Sequence, residues 1–392
     1  MAGIDLVELS KKYDGYYSPV IKIEVGGNDI MEDKKNPVSI GPVNVEITSD
    51  FKASIAEFMI YGSYSYTSGA FYTKDLKKYI SMGSNVTIYM GHGNSVTEVF
   101  KGFISGVNFI YDATDIEASG IRVTAMDVKG IMMANNHSKR LKANYYSDAV
   151  KEILDTAPYQ ALQNNEGLAS VTISDTPDKP GGGAPGGGAP GGGAGGQQPD
   201  NRLEMVAESD YEFVVKAAKK FNFEFFSVGG NVVFRKAKAN TQELGVIEPH
   251  PSILYLDAGY DITGVVGEVK VRTMDIDKGK KIEVKKKNAS KLSLGSKAKP
   301  LVKDQSYVYI DSAIESQKDA ENRAAYILEE TSYRLGSLKM VLKGIPELVP
   351  GSFISLKNFG EGVSNKYYIT DVTHEYDGFY YTTTILGKAS TL

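Results

Sequence analysis

The amino-acid sequence predicts a mainly β protein with an α+β middle module. Three observations indicate this fold. Alternating apolar and polar residues recur near both ends of the chain, helical periodicity is confined mostly to the middle, and a faint internal repeat links the two β regions. The chain has 392 residues, 42% of them hydrophobic and 23% charged, with mean hydropathy −0.24. These values are typical of a folded, soluble protein with two or three domains.

Residues 1–140 are predicted to form the first β-barrel. Period-two alternation predicts strands at 19–25, 43–47, 85–90 and 121–126. Glycine- and asparagine-rich turns separate them, and a short helical piece is expected at 73–79.

Residues 141–245 are predicted to form the α+β middle module. Ser147 is expected to begin a helix that Pro158 ends, and Ser209 with Glu212 forms a capping-box pattern ahead of a second helix. Gly229-Gly230 between two strand patterns predicts a hairpin. Residues 180–196 contain only Gly, Pro and Ala, which predicts a flexible insertion. It is either a surface insertion in a loop or a loop that contacts a channel.

Residues 246–392 are predicted to form a second β-barrel with one long helix at 312–335. Ser312 and Glu315 resemble a capping box, and Gly336 is a C-terminal stop signal. The predicted strands lie at 262–272, 280–287, 306–310, 338–342, 353–356, 366–375 and 379–386.

The internal repeat connects the first and last regions. The segment that starts at Gly83 resembles the one that starts at Gly351, and Ile104-Ser105-Gly106-Val107 with Tyr111-Asp112 matches Ile369-Thr370-Asp371-Val372 with Tyr376-Asp377 at the same spacing. Two tandem copies of one β-barrel explain this match. Chance similarity between amphipathic strands is the alternative.

Composition and motifs argue against several classes of function. A net charge of −4 disfavours nucleic-acid binding as the main role, and the absence of Cys excludes disulfides, thiolate metal sites and a cysteine nucleophile. No apolar run is long enough to insert into a membrane, and Asp5 and Glu8 interrupt any signal peptide.

No catalytic, metal or cofactor motif is present. The four His residues are scattered without ligand spacing, and neither G-x-S-x-G nor a phosphate-binding loop occurs. Acidic residues near the helices are interpreted as solvated helix faces and caps; they are Glu204, Glu208, Asp210, Glu212, Glu329 and Glu330. The sequence therefore predicts a protein that is not an enzyme and needs no cofactor.

One charged segment stands out. Residues 269–303 contain twelve basic and three acidic residues. In the predicted strand 280–287, Ile282 and Val284 point to one face while Lys281, Lys285 and Lys287 point to the other. The basic candidate site comprises Lys280, Lys281, Lys285, Lys286 and Lys287. It is an edge strand whose lysines prevent aggregation, a surface that docks on an acidic protein ring, or a channel lining.

Four C-terminal motifs occur in a recognisable order: Ala320-Glu321-Asn322-Arg323-Ala324, the run from Gly344 to Gly351, the run from Tyr367 to Glu375, and the run from Gly378 to Thr383. They resemble the phage late control protein D family, whose module also opens the valine–glycine repeat proteins of type VI secretion. The segment Glu208 to Phe213 resembles the same family's helix opening. The specific match covers about the last 80 residues and this helix, and the first 140 residues agree in pattern only.

The resemblance implies a baseplate hub of a contractile injection system: a homotrimer with two tube-like barrels per chain, between the hexameric tail tube and a trimeric spike. The implied partners are the tube protein, a separate spike protein and other baseplate or tape-measure proteins. Nucleic acid would at most pass through the lumen. Assembly is expected in the bacterial cytoplasm, and the final location in the baseplate of a virion or tail particle. The insertion at 180–196 and the lack of a downstream spike domain depart from the family pattern.

Two other classes of function stay open at this point. One is a tail-associated cell-wall hydrolase, although no region is left to house a lytic domain. The other is a β-rich surface adhesin or carbohydrate-binding module.

Overall fold

The computed structural model describes residues 3–32, 38–115, 118–178, 202–275, 279–288, 296–311, 314 and 316–391. Strands make up 44% and helices 21% of the residues that the structure describes, which confirms the mainly β prediction. The predicted insertion at 180–196, and Ser312 and Glu315 at the predicted start of the long helix, lie outside the described residues.

The N-terminal region is built mostly of strands. Its elements are α1 (Leu6–Lys12), β1 (Pro19–Val25), β2 (Asn28–Asp29), β3 (Ser39–Thr48), β4 (Ile55–Tyr61), β5 (Tyr64–Ser65), β6 (Ala70–Phe71), α2 (Thr73–Leu76), β7 (Asn85–His92), β8 (Ser95–Ile110) and β9 (Gly120–Met126). Alternate residues of β1, β3 and β4 are buried, as period-two patterning requires. Asp5 begins α1, because its carboxylate accepts hydrogen bonds from the Val7 and Glu8 backbone N–H groups.

The middle region alternates helices and strands. Its elements are α3 (Lys129–Met133), β10 (His137–Arg140), α4 (Tyr146–Leu154), α5 (Ala157–Asn164), β11 (Ser170–Ile173), β12 (Glu204–Glu208), α6 (Asp210–Phe221), β13 (Phe223–Val228), β14 (Asn231–Lys236) and β15 (Glu243–Ile247). The capping box of Ser209 and Glu212 is present at α6, and Gly229-Gly230 turns β13 into β14 with φ of 55° and 70°. Both predictions are confirmed.

The C-terminal region contains the long helix and the remaining strands. Its elements are β16 (Ile253–Tyr260), β17 (Glu268–Asp275), β18 (Lys280–Lys287), α7 (Lys299–Lys303), β19 (Ser306–Ile310), α8 (Gln317–Ser332), β20 (Gly336–Lys343), β21 (Phe353–Leu356), β22 (Lys366–Tyr376) and β23 (Tyr381–Ala389).

Three local predictions need correction. The long helix spans Gln317–Ser332 rather than 312–335, because Ser316 caps its start by accepting from the Asp319 N–H and Tyr333 is already its C-cap. Pro158 starts α5 instead of only ending α4, since proline is tolerated in the first helical turn, where its missing N–H is not needed. Within the strand predicted at 262–272 only residues 268–272 lie in a strand, which is the first part of β17, and β16 before it was not predicted.

The main sheet has 13 strands and joins both β regions. Its hydrogen-bonded path runs β16-β20-β23-β22-β3-β4-β9-β8-β7-β1-β2, with β15 and β21 attached beside β22. Strands β3 and β22 pair antiparallel, with Val43 opposite Tyr376 and Thr48 opposite Asp371. We call this pairing the seam. The two regions therefore share one sheet, and its path does not close into a circuit within the described residues.

The internal repeat is confirmed as a repeated local structure. Gly83 and Gly351 both have φ of 80°, and their N–H groups donate to the carbonyls of Ile104 and Ile369 at 2.9 and 3.0 Å. Ile104 and Ile369 in turn donate to the carbonyls of Ser84 and Ser352. Side-chain patterning alone does not produce matched turns of this kind, so chance similarity is a poor explanation.

The repeat continues into the following strands. Ser105 and Thr370 occupy matching bulges, and their hydroxyls donate to the carbonyls of Thr124 and Leu386 across the sheet. Asp112 and Asp377 each accept from backbone N–H groups two and three residues later. A hydrogen bond from the Thr114 hydroxyl, together with these backbone bonds, lowers the pKa of Asp112, and the backbone bonds lower the pKa of Asp377.

Three main apolar clusters hold these regions together. One fills the N-terminal strands around Ile23, Phe58 and Val123; another fills the C-terminal strands around Met340 and Ile385. The third packs α4 and α6 on the β13–β14 hairpin.

Candidate docking surfaces

The predicted basic strand is β18, and it lies at the edge of a small three-stranded sheet ordered β18-β17-β19. Ile282 and Val284 pack towards α8, in a cluster with Val269 and Val271. Lys281, Lys285 and Lys287 are exposed. The predicted division of this strand into an apolar and a basic face is confirmed.

Glu283 lies in the middle of the basic face. Its carboxylate is 2.5 Å from Lys281 Nζ, 3.3 Å from Lys285 Nζ and 2.9 Å from Arg272 Nε. Hydrogen bonds from the two lysines lower the pKa of Glu283 to about 2. One acidic group is thus shared by three cations, so the strand keeps a net positive charge that is available for long-range attraction to an acidic surface.

The acidic residues noted in the sequence have structural partners. Glu208 binds Lys216 at 2.6 Å, and Asp210 accepts from the Tyr159 hydroxyl at 2.6 Å. Glu212 serves the α6 capping box, while Glu329 accepts from Asn222 at 2.7 Å. Glu204 and Glu330 lie near Arg140 and Arg334. These contacts agree with the interpretation of caps and solvated faces for all of these residues except Asp210, which is buried and accepts from the buried Tyr159.

A cleft of about 630 Å³ lies between α6 and α8, and its charged lining residues are Glu212, Lys216, Lys219, Lys220, Asp311, Asp319 and Arg323. Lys220 faces Asp319 at 3.5 Å, and Lys216 faces Glu208. Four basic and three acidic side chains line this cleft, and Lys216 and Lys220 are each engaged by a carboxylate.

The histidines fall into separate environments. His92 is buried against Tyr13, Tyr16 and Tyr381, and its Nε2 lies 2.9 Å from the Gly344 carbonyl. Burial lowers its pKa. Within the described ranges, no group of three His, Asp or Glu side chains has the arrangement of a metal site, and no helix is long and apolar enough to span a membrane.

Two strand edges carry exposed apolar side chains that sequence reasoning missed. On β8 and just after it, Phe109 and Tyr111 are 49% and 54% exposed. They extend an aromatic group with Tyr64, Tyr66 and Phe71. On β16, which ends the main sheet, Leu254 and Tyr255 are 54% and 50% exposed. The run Ile253-Leu254-Tyr255-Leu256 was the available signal for this strand.

Comparison with known proteins gives structural matches only. No family model and no curated protein matches the sequence. The structure is similar to a tail protein from Neisseria meningitidis MC58, with TM-score 0.62 and 12% identity over 95% of this chain and 97% of that one. It is also similar to the 43 kDa tail protein of prophage MuSo2 from Shewanella oneidensis, with TM-score 0.62 and 10% identity over 94% and 98% of the two chains.

A third similarity is to a chain of the Francisella PdpA-VgrG complex, with TM-score 0.51 and 11% identity over 99% of this chain and 61% of that one. Identities this low establish similarity of fold alone. The resemblance indicated by the C-terminal motifs is confirmed at that level: the chain has the fold of phage tail proteins and of a chain in a VgrG-containing complex.

Proposed function

We propose that this protein is the structural baseplate hub of a contractile tail or injection machine, a homotrimer that adapts the hexameric tail tube to a trimeric spike. The observation that carries the proposal is the repeated strand arrangement within a chain that has a phage tail protein fold. Three copies of a chain with two similar halves present six similar surfaces, which suits a sixfold tube. The same three copies retain threefold symmetry for a spike.

In this proposal each half contributes a tube-like barrel to the assembly. The N-terminal barrel comprises residues 1–140, the middle module 141–245 and the C-terminal barrel 246–392. The partners are the tube, a separate spike protein and other baseplate or tape-measure proteins. The hub is assembled in the bacterial cytoplasm and resides in the baseplate, and nucleic acid only passes through its lumen.

The role proposed here is structural rather than enzymatic. Its support is the engagement of the candidate acidic residues in structural contacts: Glu212 in a helix cap, and Asp210 and Glu329 in hydrogen bonds from Tyr159 and Asn222. Neither the hydrolase nor the adhesin alternative gains a specific observation from the described residues.

Co-expression tests the proposal. The hub is produced with the tube and spike proteins encoded beside it, and the purified complex is measured by native mass spectrometry and electron microscopy. We expect three hub chains per spike trimer, seated on a hexameric tube ring. A stable complex with any other number of hub chains would refute the adaptor role.

We further propose that the basic strand β18 docks on the tube. The triple variant K281E/K285E/K287E should weaken hub–tube association at least tenfold at low salt and leave the hub folded, because exposed lysines contribute mainly to long-range attraction. Circular dichroism checks folding, and surface plasmon resonance measures association.

A matched control reverses three exposed lysines elsewhere, in the variant K77E/K142E/K357E, which changes the net charge by the same amount. Equal weakening by both triple variants would mean that only net charge matters. Unchanged tube binding by the β18 variant would refute docking through this strand and would favour the alternative that the lysines prevent aggregation at a strand edge.

A further inference from the structure

The two halves of the chain repeat the same strand order. In the N-terminal half the order is β3-β4-β9-β8-β7, and in the C-terminal half it is β16-β20-β23-β22-β21. Registers match as well as order. Phe58 lies opposite both Val43 and Val123, and the corresponding Met340 lies opposite both Leu256 and Ile385. β3 and β16 each carry one extra residue at the matching place.

The seam shows how one half joins the next. Residues 371–376 of β22 pair with residues 43–48 of β3, so the bulged strand of the C-terminal half binds the first strand of the N-terminal half. His374 lies within this pairing and is fully buried.

The strand equivalence identifies a second pair of edges of the same kind. Residues 106–111 at the end of β8 correspond to 371–376, and residues 256–261, which begin in β16, correspond to 43–48. Within the described part of the chain these two edges have no backbone partner on the sides that form the seam in their counterparts. Phe109 corresponds to His374, yet it is 49% exposed where His374 is buried.

The side chains on these open edges suit pairing. Residues that face the core at the seam are Val43, Val45, Ile47, Val372, His374 and Tyr376. Their counterparts on the open edges are Leu256, Ala258, Tyr260, Val107, Phe109 and Tyr111. All six counterparts are apolar or aromatic, so pairing would bury a continuous apolar strip.

We infer that the end of β8 in one copy of this chain pairs antiparallel with β16 of the next copy, in the register of the seam. Val107 then lies opposite the partner strand's position 260, Phe109 opposite position 258 and Tyr111 opposite position 256. The contact joins two different edges, so it repeats head to tail until a ring closes. The number of chains in that ring rests on the proposed function; the pairing itself rests on the registers.

Covering these edges also removes a hazard. An open strand with exposed aromatic residues is a template for uncontrolled association. In the ring every copy would have both edges paired, as the seam already pairs β3 and β22 within one chain.

Cysteine cross-linking tests the register, because the natural chain contains no Cys. The variant I110C/D257C places one thiol on each edge at positions predicted to be directly opposite. The variant N44C/E375C is the matched control at the seam, where the same pair lies within one chain. The variant I110C/G259C is shifted by two residues, which puts its thiols on a diagonal beyond disulfide reach.

Under mild oxidation of the full-length protein, I110C/D257C should give covalent species of two and three chains on non-reducing gels. N44C/E375C should form a disulfide only within the monomer, and I110C/G259C should remain largely unlinked. The variant N108C/G259C repeats the test at a second predicted pair if Ile110 proves necessary for folding. Sedimentation also tests the edge by comparing the assembly of two variants. F109E should lose assembly, whereas the control V206E, a change at another exposed apolar residue, should keep it.

Failure of the pairing and failure of the hub role are distinguishable. A trimer by mass that yields no cross-link at either predicted pair would overturn the pairing and leave the hub role standing. Equal cross-linking of the shifted pair would also overturn it. The third outcome is a chain that stays monomeric, alone and with its spike, although N44C/E375C forms its disulfide. This result would overturn both the pairing and the hub role.

Discussion

Protonation of His374, which lies in the seam, should make the protein less stable as the pH falls. This side chain is fully buried, with Nδ1 2.9 Å from the Tyr381 hydroxyl and 3.1 Å from the Thr383 hydroxyl. Burial lowers its pKa to about 3, from the ordinary value of 6.5. In the folded protein His374 therefore stays neutral at pH values at which the unfolded chain takes up a proton.

The sign and size of the effect follow from linkage. A histidine with a depressed pKa contributes full stability above the unfolded value of 6.5, and this stability decreases as the pH falls towards about 3. When the pH falls from 7 to 5, protonation of His374 in the unfolded chain should lower the free energy of unfolding by about 2 kcal/mol. His92, also buried, changes stability in the same direction.

The assay compares the natural protein with the H374Q variant. Glutamine can still hydrogen-bond the Tyr381 and Thr383 hydroxyls but does not titrate. Urea unfolding followed by far-ultraviolet circular dichroism gives the free energy of unfolding at pH 7 and pH 5. The natural protein should lose about 2 kcal/mol more than H374Q over this interval, and His92 cancels in the difference. Parallel losses within about 0.5 kcal/mol would refute the assigned role of His374.

Two further predictions concern other parts of the chain. Shortening residues 180–196 to three glycines should leave both the unfolding midpoint and particle formation unchanged, because the segment has no large apolar side chain to bury; folded protein that no longer forms particles would instead indicate a contact role. The K129A variant should lose about 3–5 kcal/mol of unfolding free energy, since the fully buried ammonium lies 3.7 Å from buried Asp127 and donates to the Asp50 carbonyl at 3.3 Å. The double variant K129M/D127N should recover part of that loss in the same urea titration, and equal loss in both variants would argue against an unpaired charge as the cause.

Local signals in the sequence were sufficient for many elements. The strand at 280–287 is observed with the predicted bounds, because Ile282 and Val284 alternate with charged residues. The hairpin at Gly229-Gly230 was also predictable, since both turn residues have positive φ, which glycine adopts without cost.

Other features depend on contacts between distant residues. The seam joins residues 43–48 to 371–376, and no local pattern shows which strand borders which. Strand β16 was missed because four consecutive apolar or aromatic residues, Ile253 to Leu256, do not alternate as an ordinary half-buried strand does. The basic face of β18 was therefore predictable from sequence, whereas the open edges of β8 and β16 became visible only with the registers.

The span of the seam also affects how the protein is made. Thr48 and its partner Thr370 are 322 residues apart, so β3 is synthesised long before the strand that covers it. At a synthesis rate of about 5–20 residues per second that interval lasts roughly 15–65 s. During this time the nascent N-terminal half exposes the β3 edge to neighbouring chains on the same polysome. A chaperone bound to this edge would then prevent β22 of an already finished copy from pairing there and exchanging strands between chains.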